Sequence, residues 1–392
     1  MLGKISRFHG LQEQSSVAAA PAADEHKGPI PSDDCAEAQA SARGHVRLLT
    51  REEFAKIQQF RRSVKSLRRA VATGVKRTVT AMAICATALA GVPLQAATYY
   101  WDTDSSLAGN LITGEGLGGS GTWDPGATNW WDGASIVTWP NAFTDEAVFS
   151  GPTTIPANTV TVNPGVQVNA LSFLRSGYTL TGSPLLLGGI NPSIYVSLAE
   201  SVTIASPLTG SDGLTLNGGG TLRLTGDNSG LTGAVTIAGG SLVVNSLNAL
   251  PGTGSIRVTA GNGTPTNANL VGFTGGSLVL DGTAGGFTLG RDLNLEGRGV
   301  IGNNSAALLS LGDNTLTGIV TTSSSPQTPT ATRSTRISSV NGTLTLAGTL
   351  NVLGTTASTF LSLGGVNSAG VGNFDLTGVL QGTGSIEKAG AG

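Results

Sequence analysis

The chain has 392 residues, of which 58 are Gly, 12% are charged and only 5% are aromatic, at a mean hydropathy of +0.13. It is charge-poor for an ordinary soluble domain, yet not apolar enough for a membrane protein. A net charge of −2 and an isoelectric point near 5.9 exclude a nucleic-acid binder that works through a basic surface.

These averages conceal a division near residue 96. Residues 1–96 hold 14 of the 22 Lys and Arg and 8 of the 24 Asp and Glu, together with every His (His9, His26, His45), both Cys (Cys35, Cys85) and both Met. Residues 97–392 hold 8 basic and 16 acidic residues, a net of −8, and all five Trp fall between Trp101 and Trp139. Two different kinds of polypeptide meet there.

Residues 1–60 are polar and Ala-rich, with Pro21, Pro29 and Pro31, a composition that predicts disorder up to about residue 48. Thr50-Arg51-Glu52-Glu53 has the form of a capping box, which predicts a basic helix running on from that point. A basic stretch, Arg61 to Arg69, continues to Lys76-Arg77 and is followed by an uncharged, largely apolar run from Thr78 to Leu94, then Gln95-Ala96-Ala97. Positive region, apolar region and small-residue cleavage site, in that order, define a secretory signal peptide over 64–96, cleaved after Ala96 or after Ala97. Residues 1–63 are then either the front of an extended signal or an upstream extension whose true start is Val64 or Leu67; the second leaves a signal of ordinary length. The Arg61-Arg62 pair lacks the hydrophobic residues that follow a twin-arginine signal, which favours the general secretory route.

From Tyr99 onward the chain alternates apolar and polar residues in short runs, each closed by Gly. Tyr178-Thr179-Leu180-Thr181-Gly182, Leu214-Thr215-Leu216-Asn217-Gly218, Ser277-Leu278-Val279-Leu280-Asp281-Gly282 and Thr343-Leu344-Thr345-Leu346-Ala347-Gly348 are examples. Period-two alternation puts the apolar side chains on one face of a strand. Runs this short bury little alone, but coils stacked on one another share a continuous core, the logic of a β-solenoid. The spacing is irregular, with an insertion expected over the Ser/Thr/Pro-rich 321–336. The competing architecture is a large β-sandwich.

Gly220-Thr221-Leu222-Arg223-Leu224-Thr225-Gly226-Asp227-Asn228-Ser229-Gly230-Leu231-Thr232-Gly233, followed by Val235-Thr236-Ile237 and Gly239-Gly240-Ser241-Leu242, resembles the autotransporter-associated β-strand repeat, also called the passenger-associated transport repeat. Asp313-Asn314-Thr315-Leu316-Thr317-Gly318 is similar to part of it, and Gly382 to Gly392 resembles the lead-in to another copy. The Trp-rich opening is similar to the N-terminal part of many such exported proteins. The resemblance implies an all-β, right-handed parallel β-helix passenger at the outer membrane or outside the cell, exported with the help of outer-membrane machinery. It also implies a C-terminal barrel or anchor; the chain stops at Gly392 in Gly-rich sequence, so a longer protein or another route of attachment is expected. The divisions that follow are 97–150 as a Trp-rich cap and 151–392 as a solenoid.

Chemistry is sparse in this part. Without His or Cys it has no imidazole base, no Ser-His-Asp or Cys-His pair and no His- or Cys-ligated zinc. Close carboxylate pairs are Asp102/Asp104, Asp145/Glu146 and Asp292/Glu296, read as solvated turn residues; Arg291 and Arg298 beside the last pair give the best local match to a pectate-lyase-like calcium and base arrangement, read instead as surface charge pairs. Gly116 to Gly121 satisfies G-x-G-x-x-G without the strand, helix and acid of a dinucleotide site and is read as a flexible loop. Asn262, Asn303 and Asn341 head glycosylation triplets in Gly-rich turns. Trp101, Trp123, Trp130, Trp131 and Trp139 have two readings, an end cap that closes the first coil or an aromatic platform for sugar stacking, and the cap is preferred. No cofactor or metal is expected.

The expectation is an exported structural or adhesive β-helix without catalytic activity, meeting surface glycans or other cell-surface proteins, making no contact with nucleic acid and prone to self-association at exposed strand edges. The alternative is a polysaccharide-active β-helix enzyme or carbohydrate-binding module.

Overall fold

A computed structural model describes residues 96–388, apart from 153–156, 261–274, 301–305, 324–332, 355–358 and 365–371. The leader, its predicted helix and the signal sequence lie outside these residues, as do the acceptor residues Asn262 and Asn303. All the regular structure described is β-strand.

The strands fall into stacked parallel sheets, and the chain visits them in turn. One sheet has 13 strands, a second has 11, and a shorter third side is built from a three-stranded and a four-stranded sheet. Thus Ala170–Phe173 lies in the first sheet, Tyr178–Gly182 in the second and Leu185–Leu187 on the third side, and Ser193–Val196 then pairs beside Ala170–Phe173. The architecture is a parallel β-solenoid. The alternating runs read from the sequence, including Leu214–Gly218, Thr221–Leu224 and Thr343–Leu346, are its strands.

Register explains why short strands suffice. Leu171, Ile194, Leu216, Ile237, Val258 and Leu295 stand directly one above another, and all are buried. On the second sheet Val202, Leu222, Leu242, Leu278, Leu308, Ile337 and Leu363 form a matching column. Each fully buried Leu or Ile contributes roughly 1.5–3 kcal/mol, and neighbouring coils supply the walls that one coil lacks. The columns are not aliphatic throughout. Leu280 is followed by Ser310 and Ser339, and Leu295 by Thr322, all buried. The insertion expected over 321–336 is narrower at both ends: Val320–Ser323 completes one strand and Arg333–Asn341 opens the next, because Thr and Ser still serve a strand whose neighbours fix its register.

Coils come close enough for one class of residue to be obligatory. Gly318, Gly348 and Gly378 stack one above another, and a Cβ on Gly348 would lie 2.1 Å from the Gly318 carbonyl oxygen, while one on Gly378 would lie 1.7 Å from that of Gly348. The demand is steric and involves backbone, which cannot swing away. Gly348→Ala is expected to destabilise by about 3 kcal/mol, outweighing the gain of about 0.4–1 kcal/mol from a stiffer unfolded chain. Gly254→Ala, where nothing lies within 4 Å, is expected to be neutral or slightly stabilising. Denaturant titration of the two variants checks the contrast; equal midpoints would contradict it.

Candidate functional site: the tryptophan cluster and the outer face

The 13-stranded sheet ends differently from its interior. Thr98–Trp101 (β1) pairs parallel with Glu146–Phe149 on one side, but its other edge takes Trp130–Trp131 antiparallel, and that strand pairs antiparallel with Ile136–Val137. Antiparallel strands reverse the chain and stop the stack. Beneath them lie the tryptophans. Trp123 packs against Trp130 at 5.0 Å between ring centroids, Trp139 at 5.1 Å and Phe149 at 5.7 Å; Trp101 meets Trp130 at 5.1 Å, and Trp130 meets Trp139 at 4.7 Å. Most pairs are edge-to-face, the arrangement the ring quadrupole favours. Phe149 then stacks on Phe173 of the next coil at 4.9 Å, joining the cluster to the solenoid core. Exposure is 0% for Trp101, Trp123 and Trp130, 2% for Trp139 and 7% for Trp131, so the ring faces are occupied by one another and by the core.

The sequence carries this geometry as Trp-Asp pairs. Trp101 and Trp123 point into the core, Trp131 packs on Tyr100 on the other side of its strand, and the Asp after each turns the chain: Asp102 accepts from the Asp104 amide, Asp124 from Gly126 and Asp132 from Ala134 and Ser135. The hydrogen bonds from Asn163 and then from the Gly126 amide hold the exposed Asp124 carboxyl below the usual range. The Gly-rich segment read as a flexible loop is fastened around an indole. Trp101 Nε1 donates to the Gly119 carbonyl at 2.9 Å, Gly118 N–H donates to the Trp101 carbonyl, and Thr103 N–H donates to that of Gly118.

Asp102 is the one buried carboxylate in this loop. It is 1% exposed, and Asn110 Nδ2 donates to its Oδ2 at 2.7 Å. Burial raises its pKa, outweighing the lowering by the Asn110 and Asp104 hydrogen bonds, and the Asp104 charge adds to the rise. The folded loop around Asp102 therefore binds a proton that the unfolded chain has released, so stability falls as pH climbs from the ordinary carboxylate value through the raised one and stays low above it. Asp102→Asn is expected to stabilise the fold at neutral pH and flatten this dependence. Asn110 Oδ1, buried without a partner, would rotate to accept from the new amide. Thermal melts at acidic and neutral pH check this; an unchanged pH profile would refute it.

The other acidic pairs do not converge. Asp145 accepts from Thr144 Oγ1, while Glu146 accepts from Thr98 and Ser172. Arg291, Asp292, Glu296 and Arg298 each reach a different neighbour. Arg291 donates to the carbonyls of Pro251 and Gly254 of an earlier coil, Asp292 accepts from the Ile319 amide, Glu296 pairs with Arg257 at 3.5 Å, and Arg298 Nε donates to Ser334 Oγ at 2.7 Å. No group of three or more His, Cys, Asp or Glu residues is placed to hold a metal among the described residues. The outer faces carry polar columns instead, such as Thr215, Thr236, Arg257, Asn294, Thr321, Asn351 and Gln381 on the first sheet.

The chain is similar to an autotransporter adhesin. The adhesin BmaC autotransporter of Brucella suis biovar 1 is 35% identical to it over 236 residues, which is 57% of this chain and 6% of the relative. The chain thus spans a small part of the length of the curated relative it matches. No protein-family model matches the chain, and no solved structure matches it.

Two asparagines have a role that residue types alone do not show. Asn228, within the segment that resembles a repeat, is fully buried; its Oδ1 accepts from the Leu208 amide and its Nδ2 donates to the Ala249 carbonyl, both at 2.7 Å, 20 and 21 residues away. Asn314 is likewise buried, accepting from the Phe287 amide and donating to the Leu280 and Leu311 carbonyls and to Ser310 Oγ. The recurring Asp-Asn pair was the available signal: the Asn turns in to clip neighbouring coils and the Asp stays out, Asp227 capping a turn at the Ser229 amide and Asp313 accepting from the Thr343 amide of the next coil.

Proposed function

We propose that residues 97–392 form an exported, non-catalytic adhesive passenger: a solenoid displayed at the cell surface or released outside the cell, closed at its N-terminal end by the 97–150 tryptophan cap and carried by 151–392. The observation that carries this reading is that Arg291, Asp292, Glu296 and Arg298 each reach a different neighbour instead of converging, while the outward column of the first sheet is Thr, Asn and Gln apart from Arg257. The likeness to a Brucella adhesin supports it. Regular polar columns suit weak contacts repeated many times, with surface glycans or cell-surface proteins as partners. Burial of the indoles supports the cap over a sugar-stacking role for Trp101, Trp123, Trp130, Trp131 and Trp139.

In this reading residues 64–96 are the signal peptide and 1–63 an upstream extension. Cleavage after Ala96 keeps Ala97, whose carbonyl accepts from the Glu146 amide at 2.9 Å; cleavage after Ala97 would remove that anchor from the first strand. A second reading as a polysaccharide-active enzyme would require acids and a base brought together by segments beyond the described residues.

The test is attachment. Beads coated with the full chain, purified from the exported fraction of an expressing host, are expected to attach to glycan-bearing cells, and beads coated with heat-unfolded chain are not. Equal attachment by both, or by neither, would refute the adhesive reading.

A further inference from the structure

The core columns change character at one place. On the second sheet Leu180, Ile204, Leu224, Val244 and Leu280 stand one above another, and the column then continues as Ser310 and Ser339. On the first sheet the column through Val258 and Leu295 passes through Thr322 before Val352 restores it. On the third side Asn314, also buried, pairs with Leu344 of the next coil. The coil over 308–323 thus buries three polar side chains in the core, where the coil over 278–296 turns in Leu278, Leu280, Leu289, Leu293 and Leu295.

Hydrogen bonds hold this coil from one side. Asn314 reaches back, accepting from the Phe287 amide and donating to the Leu280 carbonyl of the preceding coil, and it donates to Ser310 Oγ of its own. Ser339 Oγ donates to the Gly342 carbonyl within its own coil. Ser310 and Ser339 therefore stand opposite each other, each satisfied at home, on the two sides of the seam between 308–323 and 333–352. The ladder also slips there: Ser310 pairs with Ser339 but Leu311 with Asn341, which leaves Val340 over. Besides the ladders, the bonds that cross the seam run at its margins. Ser334 to Arg336 reach Gly297, Arg298, Ala307 and Ser323, and the exposed Asp313 and Asn341 accept from the Thr343 and Gly312 amides.

Two facing hydroxyls bury far less apolar surface than two facing leucines, and on opening they regain water at little cost. In a stack whose stability is a sum over neighbouring coils, the seam with a polar contact and a slipped ladder opens first. We propose that this seam is a built-in break point, at which the described coils from Arg333 to Lys388 open as one unit while the coils before it stay folded. Its use rests on the adhesive reading: a displayed passenger that is pulled lengthens at the joint before the rest of the stack is disturbed.

Hydrogen exchange of the full chain is followed at rising urea concentrations below the unfolding transition. Amides over 337–352 are expected to lose protection together, by about tenfold or more relative to those over 278–296. The double variant Ser310→Val, Ser339→Ala makes the seam apolar, with Val as the same column holds at Val244, and Asn314 keeps the Leu280 and Leu311 carbonyls. It is expected to remove most of that step. Leu280→Ser, which moves a hydroxyl one coil back, is expected to bring the coil over 278–296 into the opening unit. Uniform loss along the chain, loss that advances coil by coil from Asn373 without a step, or a step unchanged in the double variant would overturn the break point. Stretched from its two ends, the chain is expected to yield in two stages, and a single all-or-none release would remove the use under load. Exchange involves no ligand, so its outcome is independent of bead attachment and leaves the adhesive reading to its own test.

Discussion

Asn228→Ala is expected to destabilise the solenoid by about 2–6 kcal/mol, because it strands two buried groups, the Leu208 N–H and the Ala249 carbonyl, at roughly 1–3 kcal/mol each. Truncation also opens a small void between coils. In a stack whose coils contact only their neighbours, the loss is local before it is global. Hydrogen exchange is therefore expected to quicken first at the amides of Leu208 and Asn228, with a lowered denaturant midpoint following. Asn228→Asp makes the mechanism visible. The new carboxyl still accepts from Leu208, but its second oxygen faces the Ala249 carbonyl and is tolerable only when protonated. Its folded pKa is raised, so this variant is expected to lose stability as pH rises through and above the ordinary carboxylate range, where Asn228→Ala shows no such dependence. An Asn228→Ala variant with the parent's midpoint would remove the clip from the account.

Trp123→Ala is expected to cost about 3–5 kcal/mol and to open the N-terminal end of the stack. Trp123 touches Trp130, Trp139 and Phe149, so its removal leaves a cavity where, among the described residues, antiparallel strands end the parallel sheet. Trp131→Ala, at the margin with Tyr100 as its one aromatic neighbour, is expected to cost less. The order matters because the two readings of these residues diverge. A cap predicts that stability falls most at Trp123 and Trp130 and that glycan binding persists in any variant still folded. A stacking platform predicts the reverse, lost binding at unchanged stability. Chemical denaturation and glycan titration of the same variants distinguish them.

The fold was legible because its cause is local. Tyr178 to Gly182 and Leu214 to Gly218 alternate so regularly that strand, face and corner follow from the residues alone, and their shortness demands stacking. What was not legible depends on register. Nothing in the triplet Asp227-Asn228-Ser229 says which polar side chain turns inward, since that depends on carbonyls 21 residues away. Arg291, Asp292, Glu296 and Arg298 look like a cluster in sequence, yet strand alternation and coil stacking send each to a separate partner. Conversely, Arg298 and Ser334 are remote in sequence and joined in space. The Gly-rich loop misled for the same reason: Gly118 and Gly119 read as freedom, but their positive φ wraps the chain closely around Trp101. The polar core positions Ser310, Thr322 and Ser339 also escaped notice, because hydrophobic patterning cannot mark a serine that a neighbouring Asn314 satisfies.

The central claim is that this solenoid binds without turning over what it binds. The most direct measurement is prolonged incubation of the full chain with polygalacturonate and alginate, with and without calcium, following both polymer length and the ultraviolet absorbance of an unsaturated product. Polymer of unchanged length and no rise in absorbance are expected. Sustained shortening or a growing unsaturated product, abolished by removing calcium or by substituting Arg298, would contradict the claim.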